Sequence, residues 1–372
     1  MRSVLLVIGT RPEAIKMAPV LLALRKTACS AQLLHSGQHE TMADEALSAF
    51  GILPDLRLPS PPSLRTHSEL TAHLLSHLSD AFRRERPSMI LVHGDTATAY
   101  AAALAAFYQR IPVAHVEAGL RSGDLYAPFP EEYNRRAIAV SASIHFAPTE
   151  AAKQNLLREG IGEETIFAVG NTAIDALQYT VKNDFDHPFL RASEGGQRIL
   201  FTAHRRENQG APMVGMLRAL RRLVDAAWDR WAILPMHPSP ILRQQIHEEL
   251  DDHPRILLTE PLDVVSCHNL LARSTLVMTD SGGIQEEAAA LGIPTVVMRS
   301  RTERSEGLCQ NGGCLLLAGQ KEEEIYRAAS RLLSDPHAYK KAAKVCSAFG
   351  DGHAADRIAS ILSEQMQIPP RF

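Results

Sequence analysis

The sequence predicts an α/β protein made of two doubly wound domains, each a parallel sheet with helices on both faces. The chain has 372 residues, which is enough for two domains of ordinary size. Short runs rich in β-branched residues alternate with alanine- and leucine-rich stretches, a pattern typical of βαβ units. Polar residues follow several of these runs directly, and ligands of open parallel sheets bind at such positions.

The first half of the chain contains five predicted strands and three predicted helices. The β-rich runs lie at 3–8, 89–92, 112–116, 144–147 and 167–169. Apolar residues at helical spacing predict helices over 12–26, 96–109 and 150–159. Pro12 suits the start of the first helix, and Thr149 suits the N-cap of the third.

A polar stretch at about 174–197 interrupts the alternation, and we interpret it as the crossing between a domain at 1–175 and a domain at 176–372. After it, strands are predicted at 198–202, 232–236, 255–258, 276–279 and 295–298. Helices are predicted at 213–226, 241–250, 264–273 and 284–291. A final helix over 353–367 is expected to pack either in the second domain or back on the first.

Composition restricts the class of protein and its partners. Apolar residues make up 45% and charged residues 22%, as in ordinary globular proteins. A formal charge of −3 gives no broad basic field, so nucleic acid is not an expected partner. The apolar run at 4–8 is too short for a signal peptide or a membrane span, and five scattered cysteines without a CxxC pair are typical of reduced thiols. We therefore expect a cytoplasmic protein with no membrane association.

Cofactor motifs are missing from the sequence. The sixteen histidines show no metal-ligand spacing, and neither GxGxxG nor GxxxxGK[ST] occurs. The sequence therefore predicts no metal, no NAD and no P-loop nucleotide site.

Polar or charged residues stand at the ends of six predicted strands. They are Gly9-Thr10-Arg11, His93-Gly94-Asp95, His115-Val116-Glu117, His204-Arg205-Arg206, His237 and Asp280-Ser281-Gly282-Gly283. Taken singly, several have a structural alternative: Asp95 as an N-cap, Glu131 and Glu132 as partners of a helix dipole, and 204–207 as a solvated turn. Glu117 is harder to explain in this way, because a carboxylate at the end of an apolar strand costs free energy unless it is paired or functional. Agreement among six strand ends predicts a ligand site.

The turn Ser281-Gly282-Gly283 suits a diphosphate, because it opens a helix with free N–H groups and no Cβ atoms in the way. Arg11 would add a bidentate phosphate donor. Glu287, one turn into the same helix, is predicted to accept hydrogen bonds from ribose hydroxyls.

Segments along nearly the whole chain resemble the non-hydrolysing UDP-N-acetylglucosamine (UDP-GlcNAc) 2-epimerases. They include GTRPEAIKMAP (9–19), VHGDT (92–96), PFPEEYNRR (128–136), GNTAIDAL (170–177), HRREN (204–208), TDSGGIQEEA (279–288) and FGDGHAADRI (349–358). The resemblance implies two Rossmann-like domains in a glycosyltransferase-B-like arrangement, with the site in the interdomain cleft. It also implies a homodimer and a final helix that returns to the first domain.

The implied reaction is the reversible C2 epimerisation of UDP-GlcNAc to UDP-N-acetylmannosamine (UDP-ManNAc), which would supply precursors of surface polysaccharides. In this family UDP is eliminated to leave a 2-acetamidoglucal and then added back, with no NAD or metal. The resemblance makes Asp95, Glu117 and Glu131 the acid/base and cation-stabilising carboxylates, and which of them performs which step stays open. Lys16 and His204 would support proton transfer and phosphate charge.

Nucleotide and activator sites follow from the same resemblance. UDP would be held by Arg11, Ser281, Gly282, Gly283 and Glu287, with Arg135 near the sugar or diphosphate. Gln38, Arg65 and His237 would form a second, activating UDP-GlcNAc site.

Three positions depart from the family pattern. Glu40 replaces a usual basic residue beside the activator site, Cys267 stands where relatives often carry phenylalanine near the uracil, and Ser305 replaces a usual proline. Activation and the mode of uracil binding therefore stay open. Three rival interpretations of the function also stay open. The first is a hydrolysing epimerase, or an epimerase that acts on another UDP-2-acetamido sugar. The other two are a two-domain glycosyltransferase and a catalytically silent UDP-sugar binding protein.

Overall fold

The computed structural model describes residues 3–62, 66–205, 208–302, 304–309 and 312–365. The chain forms two compact units: unit 1 is Met1–Tyr179 with Gly350–Phe372, and unit 2 is Thr180–Phe349. The predicted boundary between 175 and 176 would cut a helix that continues to Thr180. The final helix belongs to unit 1, as the family resemblance implies, although the bounds 176–372 grouped it with the second domain.

Unit 1 is built on a seven-stranded parallel sheet in the order β3-β2-β1-β4-β5-β6-β7. The strands are β1 (Ser3–Ile8), β2 (Ser30–His35), β3 (Leu56–Arg57), β4 (Met89–His93), β5 (Val113–Val116), β6 (Ile144–Ala147) and β7 (Ile166–Ala168). The helices are α1 (Arg11–Arg25), α2 (Glu40–Ser48), α3 (His67–Glu85), α4 (Ala97–Tyr108), α5 (Glu131–Ser141), α6 (Glu150–Arg158) and α7 (Thr172–Thr180).

Unit 2 is built on a six-stranded parallel sheet in the order β10-β9-β8-β11-β12-β13. The strands are β8 (Gln197–Thr202), β9 (Arg230–Pro235), β10 (Ile256–Thr259), β11 (Leu276–Thr279), β12 (Thr295–Val297) and β13 (Leu315–Leu317). The helices are α8 (Pro188–Ala192), α9 (Ala211–Asp225), α10 (Pro240–Leu250), α11 (Val264–Ala272), α12 (Gly282–Leu291), α13 (Glu322–Ser334) and α14 (Pro336–Ala342). After unit 2 the chain ends in α15 (Ala354–Gln365), which is part of unit 1.

The sheet of unit 1 is buried on both faces, and β1 shows how. Val4, Leu6 and Ile8 face a core shared with α1, α2 and α15. Leu5 and Val7 face the opposite core, shared with α3 and α4. Successive side chains of a strand point to opposite faces, so a continuous apolar run is what a doubly covered central strand requires.

The order of the strands decides where ligands can bind. In each sheet the order reverses between two central strands, β1 and β4 in unit 1 and β8 and β11 in unit 2. The loops that follow such strands leave on opposite sides of the sheet, so a crevice opens at the carboxyl ends. The turns at 9–11 and 94–96 lie at this point in unit 1, and those at 203–205 and 280–283 lie there in unit 2.

The predicted helices and strands are all present, with bounds that differ by no more than two residues over the described part of the chain. Several elements were missed, among them β2, α2, β3 and α3. A signal for α3 exists in the sequence: Thr66 and Glu69 form a capping box, and Leu70, Leu74 and Leu78 recur at helical spacing. Within the described residues, no helix has both the length and the apolar character needed to cross a bilayer.

Helix α15 is attached to unit 1 through a buried carboxylate. Asp175 on α7 accepts hydrogen bonds from the backbone N–H groups of Ala354 (3.3 Å) and Ala355 (2.7 Å). The Arg357 guanidinium donates to the carbonyl of Val169 at 3.0 Å. Asp175 thus acts as a cap for a helix that is distant in sequence.

We expect Asp175→Ala to loosen α15 and to lower the free energy of unfolding by about 1–2 kcal/mol, because two buried N–H groups lose their acceptor. Hydrogen exchange measured by mass spectrometry should show faster exchange in α15 than in β1. Asp356→Ala is the matched control, since Asp356 lies on the same helix with a side chain 69% exposed. Equal exchange in the two variants would contradict the capping role.

Candidate active site

The turn after β1 carries Arg11, the first residue of α1. Thr10 is the N-cap, and Glu13 closes a capping box by accepting a hydrogen bond from the Thr10 N–H at 2.8 Å. Arg11 is half-buried. The predicted phosphate donor therefore has its backbone fixed at a helix start.

Glu13 also joins this turn to the turn after β4. Its Oε2 accepts from the N–H of Gly9 (2.9 Å) and from the N–H and hydroxyl of Thr10 (2.8 and 2.9 Å), while Oε1 accepts from the Thr96 hydroxyl at 2.6 Å. The Thr96 hydroxyl in turn accepts from the N–H of Ala99 and caps α4. Glu13 is fully buried, and burial raises its pKa to about 7 although the four hydrogen bonds act in the opposite direction.

Asp95 lies between Gly94 and Thr96 in the turn after β4, and its backbone is held from two other elements. The neutral His115 ring donates through Nε2 to the carbonyl of Gly94 at 2.7 Å, since burial lowers the pKa of His115 to about 3. Asn134 Nδ2 donates to the carbonyl of Asp95 at 2.9 Å. The position of the Asp95 carboxylate is therefore fixed by β5 and α5 as well as by its own turn.

The Asp95 carboxylate pairs with the Arg135 guanidinium. Burial raises the pKa of Asp95, the charge of Arg135 lowers it, and the charges of Glu117 and Glu131 raise it again. Glu117 and Glu131 are thus close enough to Asp95 for their charges to raise its pKa.

Glu117 follows β5 with a positive φ of 63°. This left-handed conformation costs a non-glycine residue about 1–2 kcal/mol and is concentrated at functional sites. Its Oε1 pairs with the Lys16 ammonium, and its Oε2 lies 3.7 Å from His93 Nε2. A Cβ atom built on Gly94 would lie 3.3 Å from the same Oε2, so Glu117 lies against the turn that carries Asp95.

Helix α5 begins with two acidic residues in different environments. Glu131 is partly buried, and its charge acts on Asp95. Glu132 is fully buried and accepts from the Ser122 N–H and from Arg136 Nε, both at 3.0 Å. Glu132 therefore supports the loop before α5, and Glu131 belongs to the carboxylate cluster.

In unit 2 the buried carboxylate of Asp280 shapes the loop after β8. It accepts from the N–H groups of His204 (3.1 Å) and Arg205 (3.0 Å) and from Asn208 Nδ2 (2.7 Å). Asp280 is fully buried. It fixes the backbone that carries His204, whose side chain is 46% exposed.

The Ser281-Gly282-Gly283 turn begins α12, which starts two residues earlier than predicted. A Cβ atom on Gly282 would lie 2.7 Å from the guanidinium carbon of Arg304, so this cation lies over the first turn of the helix. Arg304 Nε donates to Glu286 Oε1 at 2.9 Å, and the Thr302 hydroxyl donates to Gln285 Oε1 at 2.7 Å. The helix start thus combines glycine N–H groups with a nearby positive charge.

Glu287 is 8% exposed, and its Oε2 has no hydrogen-bond partner within the described part of the chain. Its Oε1 lies 3.5 Å from His268 Nε2, and His268 Nδ1 lies 2.7 Å from the Thr180 hydroxyl. His268 thus lies beside Oε1 of Glu287, whereas Oε2 is a buried acceptor with no donor among the described residues.

The three residues predicted for the activator site are in different situations. Gln38 Oε1 accepts from the Thr98 hydroxyl at 2.7 Å, on the first turn of α4. Arg65 lies outside the described residues. His237 stacks on His204 in unit 2, with ring centroids 5.9 Å apart and planes inclined by 7°.

The three positions that depart from the family pattern lie in different parts of the structure. Glu40 faces Arg57, with 3.3 Å between Oε1 and Nη1. Cys267 is a partly buried residue of α11, and Ser305 begins a 3-10 turn, Ser305–Gly307.

In the part of the chain that is described, no group of three His, Cys, Asp or Glu residues is arranged to hold a metal ion.

The roles of the predicted site residues stay predictions, but the structure places several of these residues next to one another. Unit 1 brings together Asp95, Glu117, Glu131, Lys16 and Arg135. His115 and Asp280, which the sequence analysis noted only as polar strand ends, support the turns that carry Asp95 and His204. Sequence reasoning missed four other supporting residues: Glu13, Asn134, His268 and Arg304. Nothing in the sequence around Arg304 places it over a helix start more than twenty residues earlier.

Comparisons with known proteins agree on one family. The family model described as UDP-N-acetylglucosamine 2-epimerase matches residues 22–363. The UDP-N-acetylglucosamine 2-epimerase of Bacillus subtilis (strain 168) is 47% identical over 360 residues, which cover 96% of this chain and 94% of the relative.

Solved structures extend the likeness to three dimensions. The UDP-GlcNAc 2-epimerase from Neisseria meningitidis bound to UDP-GlcNAc has a TM-score of 0.90 at 38% identity, covering 97% of this chain and 100% of that one. A complex of a Staphylococcus aureus protein with UDP has a TM-score of 0.92 at 42% identity, covering 100% of both chains. A glycosyltransferase from Rickettsia africae shares the fold alone, with a TM-score of 0.64 at 13% identity. The fold is therefore glycosyltransferase-B-like, with two Rossmann-like units.

We expect the stability of the protein to depend on the protonation of Glu13. The pKa of Glu13 in the folded protein is about 7, above its ordinary value of 4.5. The folded state therefore holds this proton more tightly than the unfolded state does. As pH rises from about 5 to 8, the wild type should lose up to about 3 kcal/mol of unfolding free energy relative to Glu13→Gln, which cannot titrate.

Urea unfolding of both proteins at several pH values measures this difference. Glu45→Gln, at an exposed position of α2, is the control and should differ from the wild type by the same amount at every pH. A constant difference between the wild type and Glu13→Gln would show that the four donors offset the cost of burying the charge.

Proposed function

Because this chain belongs to the UDP-N-acetylglucosamine 2-epimerase family and is therefore an isomerase, we propose that it interconverts UDP-GlcNAc and UDP-ManNAc without hydrolysing them. The proposed route is elimination of UDP to a 2-acetamidoglucal, followed by addition of UDP to the other C2 epimer. The observation that carries the proposal is the group of three carboxylates in unit 1, two of which are paired with cations, Lys16–Glu117 and Arg135–Asp95.

The chemistry of C2 explains the need for several carboxylates. The C2–H bond has no adjacent carbonyl, so its proton can leave only as the C1–O bond to UDP breaks and the electron pair forms the C1=C2 double bond. A base must accept the proton, and anionic groups must stabilise positive charge that develops on the sugar. Returning the proton to the opposite face needs an acid, so the site needs carboxyl groups in both protonation states. The charges of Glu117 and Glu131 raise the pKa of Asp95, which supports such a division.

The nucleotide is proposed to be held by unit 2. The first turn of α12, at Gly282 and Gly283, offers N–H groups to the diphosphate, with the guanidinium of Arg304 beside it. The buried Oε2 of Glu287, which has no hydrogen-bond partner among the described residues, suits a ribose hydroxyl donor. His204 and Arg11 would neutralise charge on the departing diphosphate, and the relatives bound to UDP and to UDP-GlcNAc support this choice of ligand.

We further propose that the reaction needs neither a nicotinamide cofactor nor a metal ion, since elimination and re-addition involve no net redox change. The enzyme would act in the cytoplasm and supply UDP-ManNAc for surface polysaccharides. Gln38, Arg65 and His237 are proposed to bind a second, activating UDP-GlcNAc molecule. The stacking of His237 on His204 supports a connection between activation and the diphosphate residues.

A homodimer is the proposed assembly, with the interface on the α4–α5 face. This face is formed by Tyr100, Leu104, Leu125, Tyr133 and Val140, which line a groove of about 520 Å³ together with Arg136, Ala137 and Ser141. Val140 is 83% exposed and Tyr133 is 49% exposed. Exposed apolar side chains around a groove are typical of a surface that another protein covers, and a second copy is the occupant that the family resemblance implies.

The proposed reaction predicts deuterium at C2 of both epimers when the enzyme is incubated with UDP-GlcNAc in D2O, with EDTA and without NAD or an acceptor. Proton NMR and mass spectrometry measure the label and the two epimers. Free UDP accumulating in proportion to turnover would indicate the hydrolysing rival. Transfer to an acceptor with no C2 label would indicate a glycosyltransferase, and binding without label a silent UDP-sugar protein.

Asp95→Asn and Glu117→Gln test the assignment of the carboxylates in the same assay. Each should fold normally and lower the rate of C2 exchange by about 10²–10⁴-fold, because a positioned acid/base group is lost. Glu45→Gln is again a matched surface control. Near-normal rates in both site variants would mean that these carboxylates do not perform the chemistry.

We expect the enzyme to have the mass of a dimer in solution and Val140→Glu to convert it to a monomer, because a charge would be buried in an apolar interface. Size-exclusion chromatography with light scattering measures the mass. Val345→Glu, at a valine 72% exposed in unit 2, is the control and should stay dimeric. A monomeric wild type, or a dimer that Val140→Glu leaves intact, would contradict the proposed interface.

A further inference from the structure

The two central strands of the unit 1 sheet stop pairing with each other before they end. β1 pairs with β2 up to its last residue, Ile8, and β4 pairs with β5 up to its last residue, His93. Between β1 and β4, in contrast, the pairing within these described strands extends no further than Leu6 and Leu91. The turns that follow the two strands therefore begin after the backbone ladder between β1 and β4 has ended, so side-chain contacts are needed to fix their separation.

A hydrogen bond between two side chains spans this gap. Glu13 of α1 holds the turn after β1 through Oε2, which accepts from Gly9 and Thr10. Its Oε1 accepts from the hydroxyl of Thr96, in the turn after β4, at 2.6 Å. The same hydroxyl accepts from the N–H of Ala99 at 3.0 Å and so caps α4. Thr96 therefore connects the two turns with each other and with the start of a helix.

This contact does not require Glu13 to be charged. Both backbone N–H groups of the first turn donate to Oε2, so a proton on the carboxyl group would lie on Oε1. The Thr96 hydroxyl could then accept a hydrogen bond from Glu13 instead of donating one, because a hydroxyl has one donor hydrogen and two acceptor lone pairs. The contact between Glu13 and Thr96 can therefore persist in both protonation states.

Asp95 lies directly before Thr96, and its turn is held from three elements. The carbonyl of Gly94 accepts from His115 of β5 at 2.7 Å, and the carbonyl of Asp95 accepts from Asn134 of α5 at 2.9 Å. The third contact, through Thr96, comes from α1 and reaches the turn after β1. It therefore sets the distance between Asp95 and the residues of that turn.

We propose that Thr96 is a positioning residue for the reaction: its hydroxyl, bonded to Glu13, sets the place of Asp95 relative to Arg11. This inference rests on the proposed epimerisation, in which Asp95 acts on the sugar and Arg11 on the departing diphosphate. A displacement of about 1 Å between such groups can lower a rate by about 100-fold. Thr96 contacts no reacting atom in this role and acts through Asp95.

The test measures C2 exchange in D2O for Thr96→Val and Thr96→Ser. Valine has the shape of threonine without the hydroxyl, so it removes both the bond to Glu13 and the cap of α4, whereas serine keeps both. We expect kcat for Thr96→Val to fall about 10- to 100-fold with little change in KM, because other residues are proposed to hold the nucleotide. Thr96→Ser should restore most of kcat.

Thr149→Val is the matched control for the loss of a helix cap. The Thr149 hydroxyl caps α6 by accepting from the N–H of Ala152 at 3.2 Å, and among the described residues it forms no further hydrogen bond. Urea unfolding should show similar losses of stability for Thr149→Val and Thr96→Val, because each helix loses one cap. Only Thr96→Val should lower kcat.

A double-mutant cycle separates the positioning of Asp95 from a general effect on the fold. Where Asp95→Asn has already removed the acid/base group, adding Thr96→Val should lower kcat by no more than about twofold further. Two independent effects on the rate would multiply instead, because each would act without the other.

Each outcome supports or overturns one of the two proposals. A wild type without C2 exchange would reject the proposed function itself. In a wild type that exchanges, a near-normal kcat for Thr96→Val, or an equal fall in Thr96→Ser or Thr149→Val, would overturn the role of Thr96. Effects that multiply in the cycle would also overturn it, and so would a normal rate for Asp95→Asn, since Thr96 would then have no acid/base group to position. Circular dichroism and UDP binding check that each variant is folded.

Discussion

The Glu13 carboxylate accepts hydrogen bonds from Gly9, Thr10 and Thr96 while it is fully buried. Without an acceptor, the donors in these two turns would be unsatisfied in the interior, at a cost of about 1–3 kcal/mol each. This constraint fixes the turn that carries Arg11 relative to the turn that carries Asp95. Asp280 has the same role in unit 2, where it fixes the loop of His204 next to the start of α12. In both sheets a buried carboxylate at the point of strand reversal shapes the loops that carry the site.

Electrostatic balance in unit 1 follows from the same geometry. Asp95, Glu117 and Glu131 would repel one another strongly if all were charged and unpaired, so Arg135 and Lys16 each neutralise one of them. The buried histidines His93 and His115 stay neutral, because burial lowers their pKa values to about 4 and about 3, and His115 donates to the carbonyl of Gly94. A site of this kind can hold carboxyl groups in different protonation states at one pH, which proton transfer in two directions requires.

Unit 2 contains the groups that are proposed to hold the nucleotide, together with two departures from the family pattern. Three features make up this group: the first turn of α12, the Arg304 guanidinium beside it, and Oε2 of Glu287, which has no hydrogen-bond partner among the described residues. They depend on backbone geometry and on burial. Cys267 lies on α11, and Ser305 directly follows Arg304 in the sequence.

Local periodicity predicts the α/β class and the alternation of helices and strands. The polarity of single positions marks the strand ends at which Arg11, Asp95, Glu117 and Asp280 stand. Both kinds of signal are therefore readable along the chain. The resemblance to the family motifs also makes Asp95, Glu117 and Glu131 the candidate carboxylates. Only the folded chain shows that Glu13 and Asp280 support the turns and that Arg304 lies over the start of α12. It also shows that Glu117 lies between an ammonium group and a neutral imidazole. These features depend on burial and on contacts between residues far apart in the sequence, which together determine the protonation of the side chains. Neither burial nor such contacts leave a local pattern along the chain.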